Sequence, residues 1–99
     1  MVDLLLNVRE TQKGRLVSVC DADLLGETFE NGKISLTVNE EFYDGEAADE
    51  EAVVESLARC SVANLVGEHA VEIAIDNGFV EAENVLDVGE TRHAQLLWM

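Results

Sequence analysis

Proline is missing from this sequence altogether, and lysine nearly so, with Lys13 and Lys33 the two examples. No proline-rich linker, low-complexity tract or internal repeat divides the chain, so a single domain over residues 1–99 is expected. Long apolar runs are lacking as well; none approaches the roughly 20 residues of a membrane-spanning helix. The start, "MVDLLLNVRE", has no basic leader followed by a long apolar segment. A secretory signal is therefore not expected, and the cytoplasm is the expected compartment. Cysteine is limited to Cys20 and Cys60, neither in a CxxC pair. Both are expected as buried free thiols, because a reducing interior does not sustain structural disulfides.

What the chain has in excess is negative charge. Twenty-one acids face six bases, a net charge of −15 on 99 residues. Charge of this size opposes compaction by self-repulsion, and about 1 M salt screens it within about 3 Å. Yet 47% of the residues are hydrophobic, which suits a globular chain and not a disordered acidic tail. The acidity reads first as adaptation to concentrated salt and second as a surface for a basic partner.

Periodicity supplies the elements. In "VDLLLNVRET" the residues Val2, Leu4, Leu6 and Val8 alternate onto one face, as in a strand. Gln12-Lys13-Gly14 forms a turn, and "RLVSVC" returns as a second strand with Val17 and Val19 on one face and Leu16, Ser18 and Cys20 on the other. Asp21 or Asp23 can cap a short helical turn in "DADLLG". Asn31-Gly32 marks a turn before a third strand, "KISLTVNE", with Ile34, Leu36 and Val38 facing inward. The acidic segment "EEFYDGEAADEE" leads to a helix capped by Asp49, and Val53, Val54, Leu57 and Cys60 recur at helical spacing. A second helix is expected from about Ser61 or Val62 to Asn77, stopped by Asn77-Gly78. "NVLDV" and "RHAQLLW" form two last strands around Gly89-Glu90. The expected fold is α+β, a mostly antiparallel sheet of about five strands with two adjacent helices, in the order βββααββ.

Gly67 falls inside the second expected helix, where glycine costs about 1 kcal/mol relative to alanine. On a helical wheel it joins Ala63, Ala70 and Ala74 in a strip of small residues, which explains it as a packing seam against a neighbouring element. Asn64, Glu68, Glu72 and Asp76 line the opposite, polar stripe, with His69 at its edge.

Several chemistries are excluded by spacing. "GEHAVE" lacks the second histidine of HExxH, and the nucleophile elbow GxSxG, the P-loop and the GxGxxG turn are missing. A calcium loop aligned on Gly45 puts Phe42 where an oxygen ligand belongs. No catalytic set, metal site or cofactor is expected, although a metal-dependent enzyme using His69 and His93 is one alternative.

Two contact surfaces stand out. Arg9, Lys13 and Arg15 place half of the six bases around the first turn, where they could meet phosphates. Arg92, His93 and Gln95 offer donors on the last strand and could form one polar site with Asn64, Glu68 and His69. Trp98 either completes the core or anchors a partner, and Phe42-Tyr43 is a weaker candidate for an exposed anchor.

The segments "VCDADLLGETFENGKISLTVNEEFYDGE", "SVANLVGEHAVEIAIDNGFV" and "NVLDVGETRHAQLL" together resemble a small archaeal family of unknown function, here in a haloarchaeal-like member. The resemblance covers nearly the whole chain in order. It implies one domain, an archaeal cytoplasm and a salt-adapted surface, and it transfers no catalytic residues. By association it suggests translation or RNA handling. The expected function is thus a non-enzymatic binding module whose partners are RNA or ribosome and translation components. The alternative is a protein-interaction or assembly factor, and a free sheet edge would also allow a homodimer.

Overall fold

The computed structural model of the chain describes residues 4–97. β1 (Leu4–Thr11) and β2 (Gly14–Asp21) form the expected opening hairpin, in register from Leu4↔Asp21 to Thr11↔Gly14. A single 3-10 turn, Ala22–Leu24, leads to a second hairpin, β3 (Thr28–Asn31) and β4 (Ile34–Thr37). Next come α1 (Glu40–Tyr43), β5 (Glu46–Ala48), α2 (Glu50–Arg59), β6 (Val62–Val66) and α3 (Glu68–Asp76). The last hairpin pairs β7 (Leu86–Val88) with β8 (Thr91–Leu97).

The six-stranded sheet has the order β5-β1-β2-β6-β8-β7, and β3-β4 stand apart as a two-stranded ribbon. Every neighbouring pair is antiparallel except β2 and β6, which run parallel. The α+β class and the mostly antiparallel sheet match the sequence reading; the order βββααββ does not.

The main correction lies at residues 61–67. The sequence reading puts these in a helix, but Val62–Val66 is a strand in the middle of the sheet. Buried on both sides by β2 and β8, it has the near-continuous apolar run of a central parallel strand, which periodicity cannot separate from a buried helix. Ala63 therefore sits across a strand boundary from Ala70 and Ala74, and the small-residue seam does not exist as one helix face. Two short elements were also missed: α1 and β5 lie inside what reads as an acidic loop.

Other local signals hold. The Asp49 carboxylate accepts from the Ala52 amide at 2.8 Å and caps α2, and α3 ends at Asp76, with the Asn77 side chain donating to the Ile73 carbonyl at 2.8 Å. Cys20 and Cys60 are buried thiols not joined in a disulfide, and the Cys60 thiol donates to the Leu57 carbonyl at 3.2 Å.

The sheet separates two apolar layers. On one face α2 and α3 pack Val53, Leu57, Ala70, Val71, Ile73 and Ala74 onto Val17, Val19, Ala63, Leu65, Ala94 and Leu96. On the other face, toward one end of the strands, Val38 and Tyr43 cover Cys20 and Val66, helped by Phe29, Leu36 and Phe42. Ile34, expected to face inward, is 42% exposed, because β4 belongs to the ribbon and not to the main sheet. Phe42 is half-buried and Tyr43 buried, so this pair is core and not an exposed anchor. Val2, expected on a strand face, and Trp98, expected either in the core or as an anchor for a partner, lie outside the described residues.

Candidate functional site

The carboxyl ends of parallel strands are where α/β folds place ligands, and β2 and β6 are such a pair. β2 ends at Asp21 and β6 runs through Val66 into Gly67, which takes φ 113° and ψ 152° and hands the chain to α3. The Gly67 amide donates to the Arg92 carbonyl at 2.9 Å, which keeps the last residue of the turn tied to β8. A helix starting here points its free amides at the strand ends, the geometry of an anion site.

That position is already filled from within the chain. Asp21 Oδ2 accepts from the His69 amide at 3.1 Å, and Oδ1 accepts from the Ala70 amide at 2.9 Å. Asp21 is thus the cap of α3 across 48 residues of sequence, and it makes no side-chain cap to the 3-10 turn beside it. Burial pushes its carboxyl above the ordinary carboxylate range, while the amide bonds from Ala70 and His69 pull the other way. A Cβ added at Gly67 would overlap the Asp21 carboxyl, so the glycine serves both the turn and the close approach of its cap.

The other reactive groups at this end are held in their neutral forms. Burial, reinforced by Asp21, pushes the Cys20 thiol up to about 12, and burial pushes the Tyr43 hydroxyl up to about 12. Neither is a nucleophile or base near neutrality. Thr91 is buried, and its hydroxyl has no hydrogen-bond partner among the described residues. Burial lowers the His93 imidazole from its ordinary value of 6.5. No three His, Cys, Asp or Glu side chains among the described residues group so as to hold a metal ion.

The His93 shift sets a pH dependence. An unfolded chain binds the proton near 6.5, whereas the folded chain binds it at lower pH, so unfolding takes up a proton between the two values. The stabilisation is complete above the unfolded value and is lost as the pH falls through the folded one. Urea midpoints taken from pH 7 to pH 5 should therefore fall more in the native protein than in a His93→Gln variant; parallel curves would contradict the burial argument.

Of the six residues of the proposed polar site, the sheet puts three on one face. Asn64 pairs with Gln95 and Val66 with His93, so Asn64, His93 and Gln95 share the face away from α2 and α3. Arg92, one residue out of step, lies on the helix-bearing face and pairs with Asp87 at 3.6 Å. Glu68 and His69 are exposed in the first turn of α3.

The three bases of the first hairpin also divide. Arg9 stands opposite Leu16 in the register, so Arg9 and Arg15 project to opposite faces of β1-β2. Arg9 donates to the Glu41 carbonyl and lies 5.8 Å from the Phe42 ring centre, while Arg15 pairs with Glu10 at 2.7 Å. Lys13 is exposed at the turn.

Asp21 is the residue that the sequence placed in the wrong role. Its own position, after a strand and before a turn, signals a local cap. A second signal was present in "VANLVGEH", a branched apolar run ended by glycine and followed by an acid, which suits a strand entering a helix.

A family model described as "Protein of unknown function (DUF424)" matches residues 8–99. A solved structure, described as an uncharacterized conserved protein from Methanopyrus kandleri, is similar to this chain with a TM-score of 0.72 and 27% identity. The similarity covers 97% of this chain and 94% of that one. No curated protein matches.

Proposed function

Since the chain belongs to the DUF424 family, we propose from its geometry that it is a non-enzymatic binding module, and that its contact surface is the end of the sheet around the β1-β2 turn. One observation carries this reading. At that end β1 runs past β5 and β8 runs past β7, which leaves Val8–Thr11 and Ala94–Leu97 without an outer strand among the described residues. Val8 is 44% and Leu97 64% exposed there. The opposite end, where the reactive side chains collect, is closed by the Asp21 cap and by burial. A protein partner suits this surface better than a phosphate backbone, because Arg9 and Arg15 already have partners and face apart.

Contact with RNA or translation components is the second reading, favoured by the exposed Lys13 at the same turn. A photo-crosslinking residue at position 8 or 97, with position 72 on α3 as control, separates the readings in extract of a salt-accumulating archaeon. Crosslinks from 8 or 97 that resist nuclease support a protein partner, and nuclease-sensitive ones support RNA. Equal crosslinking from position 72 would contradict the surface assignment.

We also read the charge of −15 as adaptation to a salt-accumulating archaeal cytoplasm. No helix among the described residues is long and apolar enough to cross a membrane. Raising potassium chloride from 0.1 M to 2 M should raise the thermal midpoint by several degrees, roughly what about 1 kcal/mol gives a domain of this size. A midpoint that is flat or falls over this range would contradict the salt-adaptation reading.

A further inference from the structure

Asparagine precedes glycine twice in this chain, at Asn31-Gly32 and at Asn77-Gly78. Such a pair is chemically labile. The glycine nitrogen can reach the asparagine side-chain carbon with no β-carbon in the way. The fold treats the two pairs differently.

Asn77-Gly78 is held at the end of α3. The Asn77 side-chain amide donates to the Ile73 carbonyl at 2.8 Å, and the Gly78 amide donates to the Ile75 carbonyl at 3.1 Å. Attacking nitrogen and target are both engaged. Asn31-Gly32 stands exposed at the tip of the β3-β4 ribbon. Gly32 is the first residue of the two-residue turn, at φ 60°, and nothing lies within 4 Å of where its Cβ would stand. Its amide donates to no group among the described residues. The Asn31 side chain makes one exposed bond, donating to the Asp87 carbonyl at 3.1 Å, and this ties the ribbon to β7.

We propose that Asn31 is a site of spontaneous modification, and that its conversion releases the ribbon from the main sheet. The Gly32 nitrogen attacks Asn31 Cγ as its proton is lost. The Cγ–Nδ2 bond breaks, the side-chain nitrogen takes up a proton and leaves as ammonia, and a succinimide ring remains. Water then opens the ring at either carbonyl, leaving aspartate or isoaspartate at position 31. One water is consumed and one ammonia released, with no oxidant or reductant. The site is separate from the strand edges assigned to partner contact.

Either product replaces a donor with a carboxylate. Facing the Asp87 carbonyl, it repels where Asn31 bonded, and it adds negative charge next to Glu30. Isoaspartate also lengthens the main chain by one carbon at the corner of the ribbon, against the Asn31↔Ile34 register. The ribbon is only four residues long on each side. Beneath it Phe29 and Leu36 pack against the layer of Cys20, Val38, Tyr43 and Val66. Loosening the ribbon uncovers the Cys20 thiol and leaves the helix-covered layer, with Cys60, in place.

The test ages the full chain in mildly alkaline, high-salt buffer and follows it by peptide mass spectrometry with isoaspartate detection. Asn31 should convert about tenfold faster than Asn77, where two hydrogen bonds must open before the ring closes, against one at Asn31. The Asn31→Asp variant, a change at an exposed turn, isolates the consequence. Its Phe29 and Leu36 amides, which pair across the ribbon, should exchange about fivefold faster than in the native chain. Cys20 should react with a thiol reagent faster by a similar factor, with Cys60 unchanged. Equal conversion at the two asparagines, or an Asn31 that stays intact, would overturn the proposal. So would a variant whose ribbon amides and Cys20 behave as in the native chain.

Discussion

Replacing Gly67 by alanine should cost about 2–6 kcal/mol, a large part of the stability of a domain this size. Two effects add. At φ 113° and ψ 152° the backbone lies where L side chains carry strain of about 1–3 kcal/mol. The new methyl group would also overlap the Asp21 carboxyl, and crowding of that kind costs about 1–3 kcal/mol more. Urea unfolding of the variant measures the sum. The cap itself is worth less: Asp21→Ala should cost about 1–2 kcal/mol, since it leaves the His69 and Ala70 amides without their acceptor. The double variant distinguishes the two effects. With the carboxyl gone, the methyl group has room, so Gly67→Ala and Asp21→Ala together should cost clearly less than the two costs added. Strict additivity would show that the glycine and the aspartate act independently.

Leu65→Ala should cost about 3–4 kcal/mol. Leu65 is fully buried on β6, opposite Val19 of β2 and Ala94 of β8, under the layer formed by α2 and α3. Truncation there empties the centre of the helix-covered core and cannot be relieved by movement of an edge strand. Asn64→Ala, one residue away on the other face and half-buried, should cost less than about 1 kcal/mol. The contrast between neighbours follows from the alternation of faces along β6. A helix from residue 61 to 77, as the periodicity suggests, would instead couple Leu65 to residues one turn away.

How far the sequence could be read follows from this segment. Val17 and Val19 against Leu16, Ser18 and Cys20 showed their alternation openly, because β2 has faces of different surroundings near its turn, and the first hairpin was legible. Asp49 and Asn77 announced the ends of helices because caps are local chemistry. β6 is apolar toward both layers, so it lost its period of two, and chance spacing of Ala63, Gly67, Ala70 and Ala74 completed a false helix. The role of Asp21 was illegible for another reason. Its partners are 48 and 49 positions away, and only the parallel pairing of β2 with β6 brings them together. The candidate contact residues were found as types but not as groups: sheet alternation sends Arg9 and Arg15, and likewise Arg92 and His93, to opposite faces. The open edge of β1 has no signature in the sequence at all, since it depends on where β5 stops.

The molecule has a closed end, where Asp21 caps α3, and an open end, where Val8–Thr11 and Ala94–Leu97 have no outer strand among the described residues. Amide hydrogen exchange on the free, full-length chain tests that division most directly. Exchange should be slow at His69 and Ala70, whose amides bond the Asp21 carboxylate, and fast at alternate residues of Val8–Thr11 and Ala94–Leu97. Protection along both strand edges in the free chain, with rapid exchange at His69 and Ala70, would contradict it.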